Sequence, residues 1–244
     1  MEVADGVQLL TQGVTNFYLI EDAGKFTLVD AGTPKDWDFF VRSLATLEHS
    51  QLHNLEAVLL THAHPDHTGF AERARTEAGA RVWVHEAEAE SARTGQVGKK
   101  DGKIPPYLLR AEFYRTFFSL GRRGAARMIP IKEVSGFADG ETIDIPGRPR
   151  AVLAPGHTPG SAALLLADRR VLFSGDVMAT RNPLTGRLGP QIMPSALNED
   201  TAEALRSLDA LRGLTADVIL PGHGDPYREG IPAALNAAQA AGRS

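Results

Sequence analysis

Five of the eight histidines, His62, His64, His67, His157 and His223, fall in three short segments rich in Gly, Pro and Asp. The densest reads Thr61-His62-Ala63-His64-Pro65-Asp66-His67-Thr68-Gly69. Residues i and i+2 of an extended chain point the same way, so His62 and His64 can bind one ion together. A turn at Pro65 can then aim Asp66 and His67 at a neighbouring position. With His157, Asp176 and His223 there are seven metal-capable side chains, all imidazole or carboxylate. Seven is too many for one tetrahedral zinc and suits two ions that share a carboxylate and keep coordination open for water. Solvated loop histidines, or a hydrogen-bonded polar cluster, account for one such segment taken singly but not for all of them together.

The chain has no cysteine, which removes disulfides, thiolate-held zinc, iron–sulfur clusters and thiol nucleophiles together. Any metal must be held by nitrogen and oxygen. With 244 residues, 43% of them hydrophobic, there is apolar material for a substantial core. A net charge of −4 argues against a surface built wholly for nucleic acid. The start, Met1-Glu2-Val3-Ala4-Asp5, has no basic and apolar leader, and no apolar run approaches the roughly 18–20 residues that span a bilayer, so a cytoplasmic location without membrane association is the expectation.

The elements that must position these groups are short strands. Ala57–Leu60 runs into Thr61-His62, Ala151–Ala154 into Pro155-Gly156-His157, and Asp217–Leu220 into Pro221-Gly222-His223. Phe26–Val29 ends in Asp30 and Val171–Phe173 in Ser174-Gly175-Asp176. Ligands gather where strand ends and their loops converge, so these ends predict one shared site in a layered α/β or α+β fold. Further strands are predicted at 7–10, 16–20, 81–84, 141–145 and 162–167. Helices are predicted at 34–48, 69–78, 201–211 and 231–240, the first with Thr33 as N-cap and Pro34 at N1. His49 and His53 read as solvated, and His85 as a residue closing an element.

Residues 93–132 break the rhythm. They carry ten basic and two acidic residues, a net +8 that leaves −12 on the remainder. Pro106–Leu120 holds Tyr107, Phe113, Tyr114, Phe117 and Phe118 at spacings that suit an amphipathic helix. The segment reads as an insertion over the main body: a lid, a dimer contact, or a solvated basic face whose aromatics pack on the core.

His62-Ala63-His64-Pro65-Asp66-His67, Pro155-Gly156-His157-Thr158-Pro159-Gly160-Ser161, Ser174-Gly175-Asp176 and Pro221-Gly222-His223-Gly224 together resemble the metallo-β-lactamase-fold hydrolases in order and spacing. Val29-Asp30-Ala31-Gly32 looks like that family's early strand-end motif. The resemblance runs from about residue 14 to 226 and is weakest over 93–132. It implies an α+β fold, a four-layer αββα sandwich, over one domain, 1–244. It also implies His62, His64 and His157 on one ion, Asp66, His67 and His223 on a second, Asp176 bridging them, and Asp30 orienting ligands. Cysteine-ligated lactamases are excluded by composition, and members with Glu in place of His64 do not fit. PGHTPGS looks most like the glyoxalase II branch, whose glutathione-binding C-terminal domain has no counterpart in the 21 residues after His223.

The expected activity is hydrolysis of a small thioester, ester or lactone, with two divalent ions, zinc first and iron or manganese as alternatives, and with Asp66 orienting the nucleophile. Tyr107, Tyr114 and Arg181 are the candidates for substrate contact, the last in a Gly/Pro-rich loop, Ala179–Pro194. The partner is a small molecule, anionic if the charge of the insertion faces it, and the chain a monomer or homodimer. A nuclease of the same fold and a mononuclear iron persulfide dioxygenase are the alternatives.

Overall fold

Side chains alternate across the strands and so sort themselves into separate cores. In the computed structural model, which describes residues 1–47 and 51–243, strand β1 spans Glu2–Ala4, β2 Val7–Thr11, β3 Asn16–Asp22 and β4 Lys25–Val29. With β5 (Leu55–Leu59), β6 (Arg81–His85) and β7 (Ser135–Phe137) they form a seven-stranded sheet in chain order. It is antiparallel up to β4 and parallel from β4 onward. Phe17, Leu19, Leu28 and Val58 face one side, where Trp37, Phe40 and Leu44 of helix α1 (Trp37–Leu44) and Ala71 and Ala74 of α2 (Ala71–Glu77) cover them. Tyr18, Ile20, Val29 and Leu59 face the other side.

There they meet Ala162, Leu164, Leu166, Val171 and Phe173 of a second sheet. This sheet holds β8 (Arg150–Leu153), β9 (Ala162–Leu166), β10 (Val171–Gly175) and, after a hairpin of β11 (Ala179–Arg181) and β12 (Leu188–Gln191), β13 (Val218–Pro221), in the order β13-β10-β9-β8. Its outer residues Ala163, Leu165, Leu172 and Ile219 pack on α5 (Thr201–Ser207) and α6 (Gly230–Ala241). The result is the four αββα layers. Helix α3 (Ala89–Thr94) leads into the insertion, whose main element is α4 (Ala111–Arg122).

The two sheets are joined at the end where the metal-capable residues emerge. Ala162 N donates to Thr61 O at 3.0 Å, Asn16 N to Gly222 O at 2.8 Å and Tyr18 Oη to Pro221 O at 2.6 Å. Just after His67, the ring of Phe70 is fully buried with Phe17, Trp37 and Phe40 at centroid distances of 5.5, 5.7 and 5.4 Å. Burying a ring of that size is worth about 1.5–3 kcal/mol, so the exit of the histidine-rich loop is pinned by packing.

Several expected boundaries move. Residues 34–36 form a 3-10 turn before α1, because the Asp36 carboxylate turns back to accept from Thr33 N and Oγ1 at 2.8 and 2.6 Å. The expected helix stops at Leu44, and Glu48 and His49 lie outside the described residues. The strand expected at 141–145 is a single bridge, Thr142 to Arg150, since Ile145 N folds back onto Ile143 O ahead of Pro146-Gly147. The Gly/Pro-rich loop after Asp176 contains the β11–β12 hairpin. His53 is exposed, and His85 closes β6 with its Nδ1 accepting from Ala87 N at 3.2 Å.

Candidate metal centre

Each strand end delivers its side chain to one place. His64 Nδ1 lies 3.0 Å from His62 Nε2 and 2.9 Å from His157 Nε2. Asp176 Oδ2 is 3.4 Å from His157 Nε2, 4.0 Å from His62 Nε2 and 3.3 Å from His223 Nε2, while its Oδ1 is 3.5 Å from His67 Nε2. Asp66 Oδ2 lies 3.8 Å from His67 Nε2 and 3.6 Å from His223 Nε2. Among the described residues three donor groups result: His62/His64/His157, His62/His67/Asp176 and Asp66/His67/His223, each with its donor atoms within 4.8 Å of one another. All seven sequence-derived candidates are brought together, with Asp176 between the outer two groups.

The outer partners of the rings decide which nitrogen faces inward. His67 Nδ1 meets Asp30 Oδ2 at 2.8 Å, His157 Nδ1 meets Asn198 Oδ1 at 3.0 Å and His223 Nδ1 meets Val14 O at 2.7 Å. These partners are acceptors, so each Nδ1 carries a hydrogen and each Nε2 is the nitrogen left to bind a cation at the centre. His62 Nδ1 is 3.0 Å from Thr61 Oγ1, whose own hydrogen goes to Asp30 Oδ2 at 2.9 Å, and the same logic applies. His64 is reversed: Nδ1 turns inward and Nε2 lies 2.8 Å from Lys100 Nζ. Thr15 Oγ1 donates to Asp66 Oδ2 at 2.8 Å and fixes that carboxylate.

Two of the inward atoms, His67 Nε2 and Asp176 Oδ1, are buried and have no hydrogen-bond partner. Orphaned polar atoms are costly in a protein interior, and converging lone pairs repel; a cation relieves both. The residues present therefore fit metal ions, and an all-nitrogen-and-oxygen set fits zinc, iron or manganese.

Charge divides the centre into two ends. Burial, reinforced by neighbouring histidines, holds His62 and His64 well below the usual imidazole range. Burial also lowers His157, to about 4 against the pull of Asp176. For His67 burial is outweighed by Asp176, Asp30 and Asp66, which together raise it to about 10. His223 is raised for a like reason, burial being overcome by Asp176 and Asp66. The three-histidine end thus offers neutral donors, and the carboxylate end draws positive charge.

Backbone geometry makes these approaches feasible. Asp30 adopts φ 59°, a left-handed conformation that Asp tolerates better than most residues, and this lets one carboxylate accept from Thr61 N, Thr61 Oγ1 and His67 Nδ1. A Cβ on Gly222 would meet Asp176 Oδ1 and lie 2.7 Å from His67 Cε1, so only glycine fits between two donors there.

Glu88 is a residue that sequence reasoning missed. It is 1% exposed, and its two oxygens accept from Ala63 N and Gly160 N, both at 2.8 Å. One carboxylate therefore ties the loop carrying His62 and His64 to the loop carrying His157. A glutamate at the start of a helix after β6 gives no sign of this in sequence, because its partners lie 25 and 72 residues away.

Above the donors is a cavity of about 300 Å³. His64, Asp66, His157, Asp176 and His223 form its floor. Val97, Phe117 and Leu120 of the insertion, Leu184 in the turn of the β11–β12 hairpin, and Met193 and Leu197 before α5 form much of its wall. Tyr107, Tyr114 and Arg181, the expected substrate contacts, are not among the residues lining this cavity. Tyr107 is buried in a small cluster with Leu184 and Ala196, Tyr114 is 56% exposed with its hydroxyl donating to Leu108 O at 2.9 Å, and Arg181 Nε is held by Glu112 Oε1 at 2.8 Å. The inward stripe of α4 is Phe113, Thr116, Phe117 and Leu120, spaced i, i+3, i+4, i+7, and Tyr114 falls off it.

A sequence profile described as the metallo-beta-lactamase superfamily matches residues 10–223. The chain belongs to that superfamily. Among curated proteins, "Probable metallo-hydrolase YflN" of Bacillus subtilis is 27% identical, with 92% of this chain and 86% of that protein covered. "Acyl-coenzyme A thioesterase MBLAC2" of Homo sapiens is 31% identical over 67% of this chain and 54% of its own length. Among solved structures, a metallo-beta-lactamase family protein from Thermus thermophilus is 28% identical with a TM-score of 0.68, covering 97% of this chain and 78% of its own. The chain is thus an enzyme of a metal-dependent hydrolase superfamily, with a His/Asp centre able to hold metal and, among the described residues, no helix long and apolar enough to cross a membrane.

Proposed function

We propose that the chain is a dinuclear metal-dependent hydrolase of small acyl compounds, thioesters first and esters or lactones beside them. The observation that carries this reading is the pair of donor groups at and just beneath the floor of the cavity, His62/His64/His157 and Asp66/His67/His223, with Asp176 reaching both. Bound divalent ions, zinc in this reading, supply Lewis acidity and bring the pKa of water towards neutrality. The protein's part is to hold the donors still through Asp30, Thr15, Asn198 and Glu88, and to exclude bulk water with the apolar wall. Asp66, fixed by Thr15 and exposed to the cavity, orients the attacking water and takes its proton. Water oxygen bonds to the acyl carbon, the carbon–sulfur or carbon–oxygen bond breaks, and the proton leaves with the thiol or alcohol. The thioesterase name of one relative supports the same chemistry.

A turnover screen of thioesters, esters, lactones, β-lactams and phosphodiesters on zinc-loaded and manganese-loaded protein tests this. Thioester or ester hydrolysis that disappears in Asp66→Ala is the expected result. Oxygen consumption with a persulfide by protein holding one iron per chain, and no hydrolysis, contradicts it.

A further inference from the structure

We propose that the cavity wall seats a straight, apolar acyl chain, so that the substrate's acyl half is a fatty-acyl group and chain length is read by the stripe of α4 that carries Phe117 and Leu120. The inference rests on the hydrolase reading and deepens it. Its starting point is where the basic insertion puts its charge. Of the ten cations in 93–132, Lys100 alone lines the cavity among the described residues, and no arginine does. Arg115 pairs with Glu112, Arg123 with Asp36, and Arg122 lies over the Phe118 ring, while Lys99, Lys103, Arg110 and Arg127 are exposed. Lys100 itself is engaged, with Nζ 2.8 Å from His64 Nε2 and 3.6 Å from Glu199 Oε1. Most of the +8 of the insertion is therefore an outer surface, and the one insertion cation on the cavity lining among the described residues, Lys100, is shared with Glu199.

What that space offers is hydrocarbon. Val97, Phe117, Leu120, Leu184, Met193 and Leu197 all line it. The one hydroxyl in the helix stripe, Thr116 Oγ1, is spent on Pro183 O at 2.7 Å, which ties α4 to the turn of the β11–β12 hairpin. A polar acyl group set against these side chains loses hydration without a partner among them, whereas each methylene gains. A volume of about 300 Å³ with one end on the metal donors suits a chain attached to the reacting carbonyl. Phe117 is 44% exposed and Leu120 half-buried, so both can be altered without opening the main cores.

Two ladders of probes test the proposal on the metal-loaded protein: hydrolysis of p-nitrophenyl esters from acetate to dodecanoate, and calorimetric binding of the matching free carboxylates. The expected result is that kcat/KM rises, and Kd tightens, about four-fold per added CH2 until the cavity is filled. Phe117→Ala flattens the slope, Leu120→Trp moves the break to shorter chains, and Phe118→Ala, outside the cavity, changes neither. A response independent of chain length, or the same slope in Phe117→Ala as in wild type, overturns the proposal. Length-dependent binding without hydrolysis of any ester or thioester leaves the chain seat standing and counts against the hydrolase reading alone.

Discussion

In the donor set every ring leaves a strand end or the turn just after it, and four of the five have a hydrogen-bond partner suited to the outer nitrogen: Asp30 for His67, Asn198 for His157, Val14 O for His223 and Thr61 for His62. The wall is built otherwise. Its apolar side chains have no directional bonds, and α4 is held to the body by a few polar ties, Thr116 to Pro183, Glu112 to Arg181 and Arg123 to Asp36. Directional bonds fix a reacting geometry closely; apolar contact fixes only volume, and so can change to suit a different substrate. On the proposed reading the floor carries the reaction chemistry and the wall the choice of substrate, so changes in either region should affect different observables.

The largest effect belongs to Asp176→Ala, which removes a side chain that reaches both donor groups. It should lower kcat/KM by about 1,000-fold or more and reduce bound metal while the circular dichroism of the fold is kept. Metal content by mass spectrometry checks the cause, and an Asp176→Ala enzyme with full metal and near-normal turnover breaks the assignment of the floor.

Next is Glu88→Ala, which leaves Ala63 N and Gly160 N buried without their acceptor. Each unsatisfied donor costs about 1–3 kcal/mol, and loss of such an outer support weakens metal affinity by about 10–100-fold. Competition with a chelator should show that weakening, with Glu88→Gln, which keeps one acceptor oxygen, falling between. Equal metal affinity in all three proteins would make Glu88 a packing residue only.

The charge division of the floor gives a smaller but direct readout. His67, raised to about 10, holds a proton at pH 7 in metal-stripped protein, whereas His157, lowered to about 4, does not. Metal uptake at pH 7 should therefore release at least one proton per chain, seen as a dependence of calorimetric heat on the ionisation enthalpy of the buffer. His67→Ala should reduce that release, and an unchanged release would place the proton elsewhere.

The smallest effect concerns the wall. Hydrogen bonds from Arg115 and Arg181 hold the Glu112 carboxyl at about 2, below its ordinary value. A depressed carboxylate stabilises the fold above its unfolded value and loses that contribution as pH falls through the folded value. The Glu112→Gln difference should thus be constant from neutral pH to about 5 and vanish towards 2. With Arg115 and Arg181 partly in water it should be about 1 kcal/mol or less. Thermal melts across that range check it, and a difference that grows on acidification contradicts the pairing.

The floor was legible in sequence because its donors follow their strands within a few residues, so period, spacing and Pro-Gly punctuation carry the information locally. The layered fold was legible for the same reason, apart from β1, β7 and the β11–β12 hairpin, which are short and lack long apolar runs. What could not be read depends on contacts between distant segments. Glu88, Asn198 and Thr15 act on residues 25, 41 and 51 positions away, with no local signature. Tyr107 and Tyr114 drew notice by residue type, while the helix face that reaches the cavity is set by the docking of α4 through Thr116. Net charge misled in the same manner, since the +8 segment turns nearly all of its cations outward.

In the proposed dinuclear reading this floor holds two ions, one at each end of Asp176. Anomalous diffraction at the zinc edge from crystals of active, zinc-loaded protein tests it most directly. Two peaks are expected, one among His62, His64 and His157 and the other among Asp66, His67 and His223, with Asp176 touching both. A single peak, or a second one outside these side chains, in protein that turns over its substrate at full rate would contradict it.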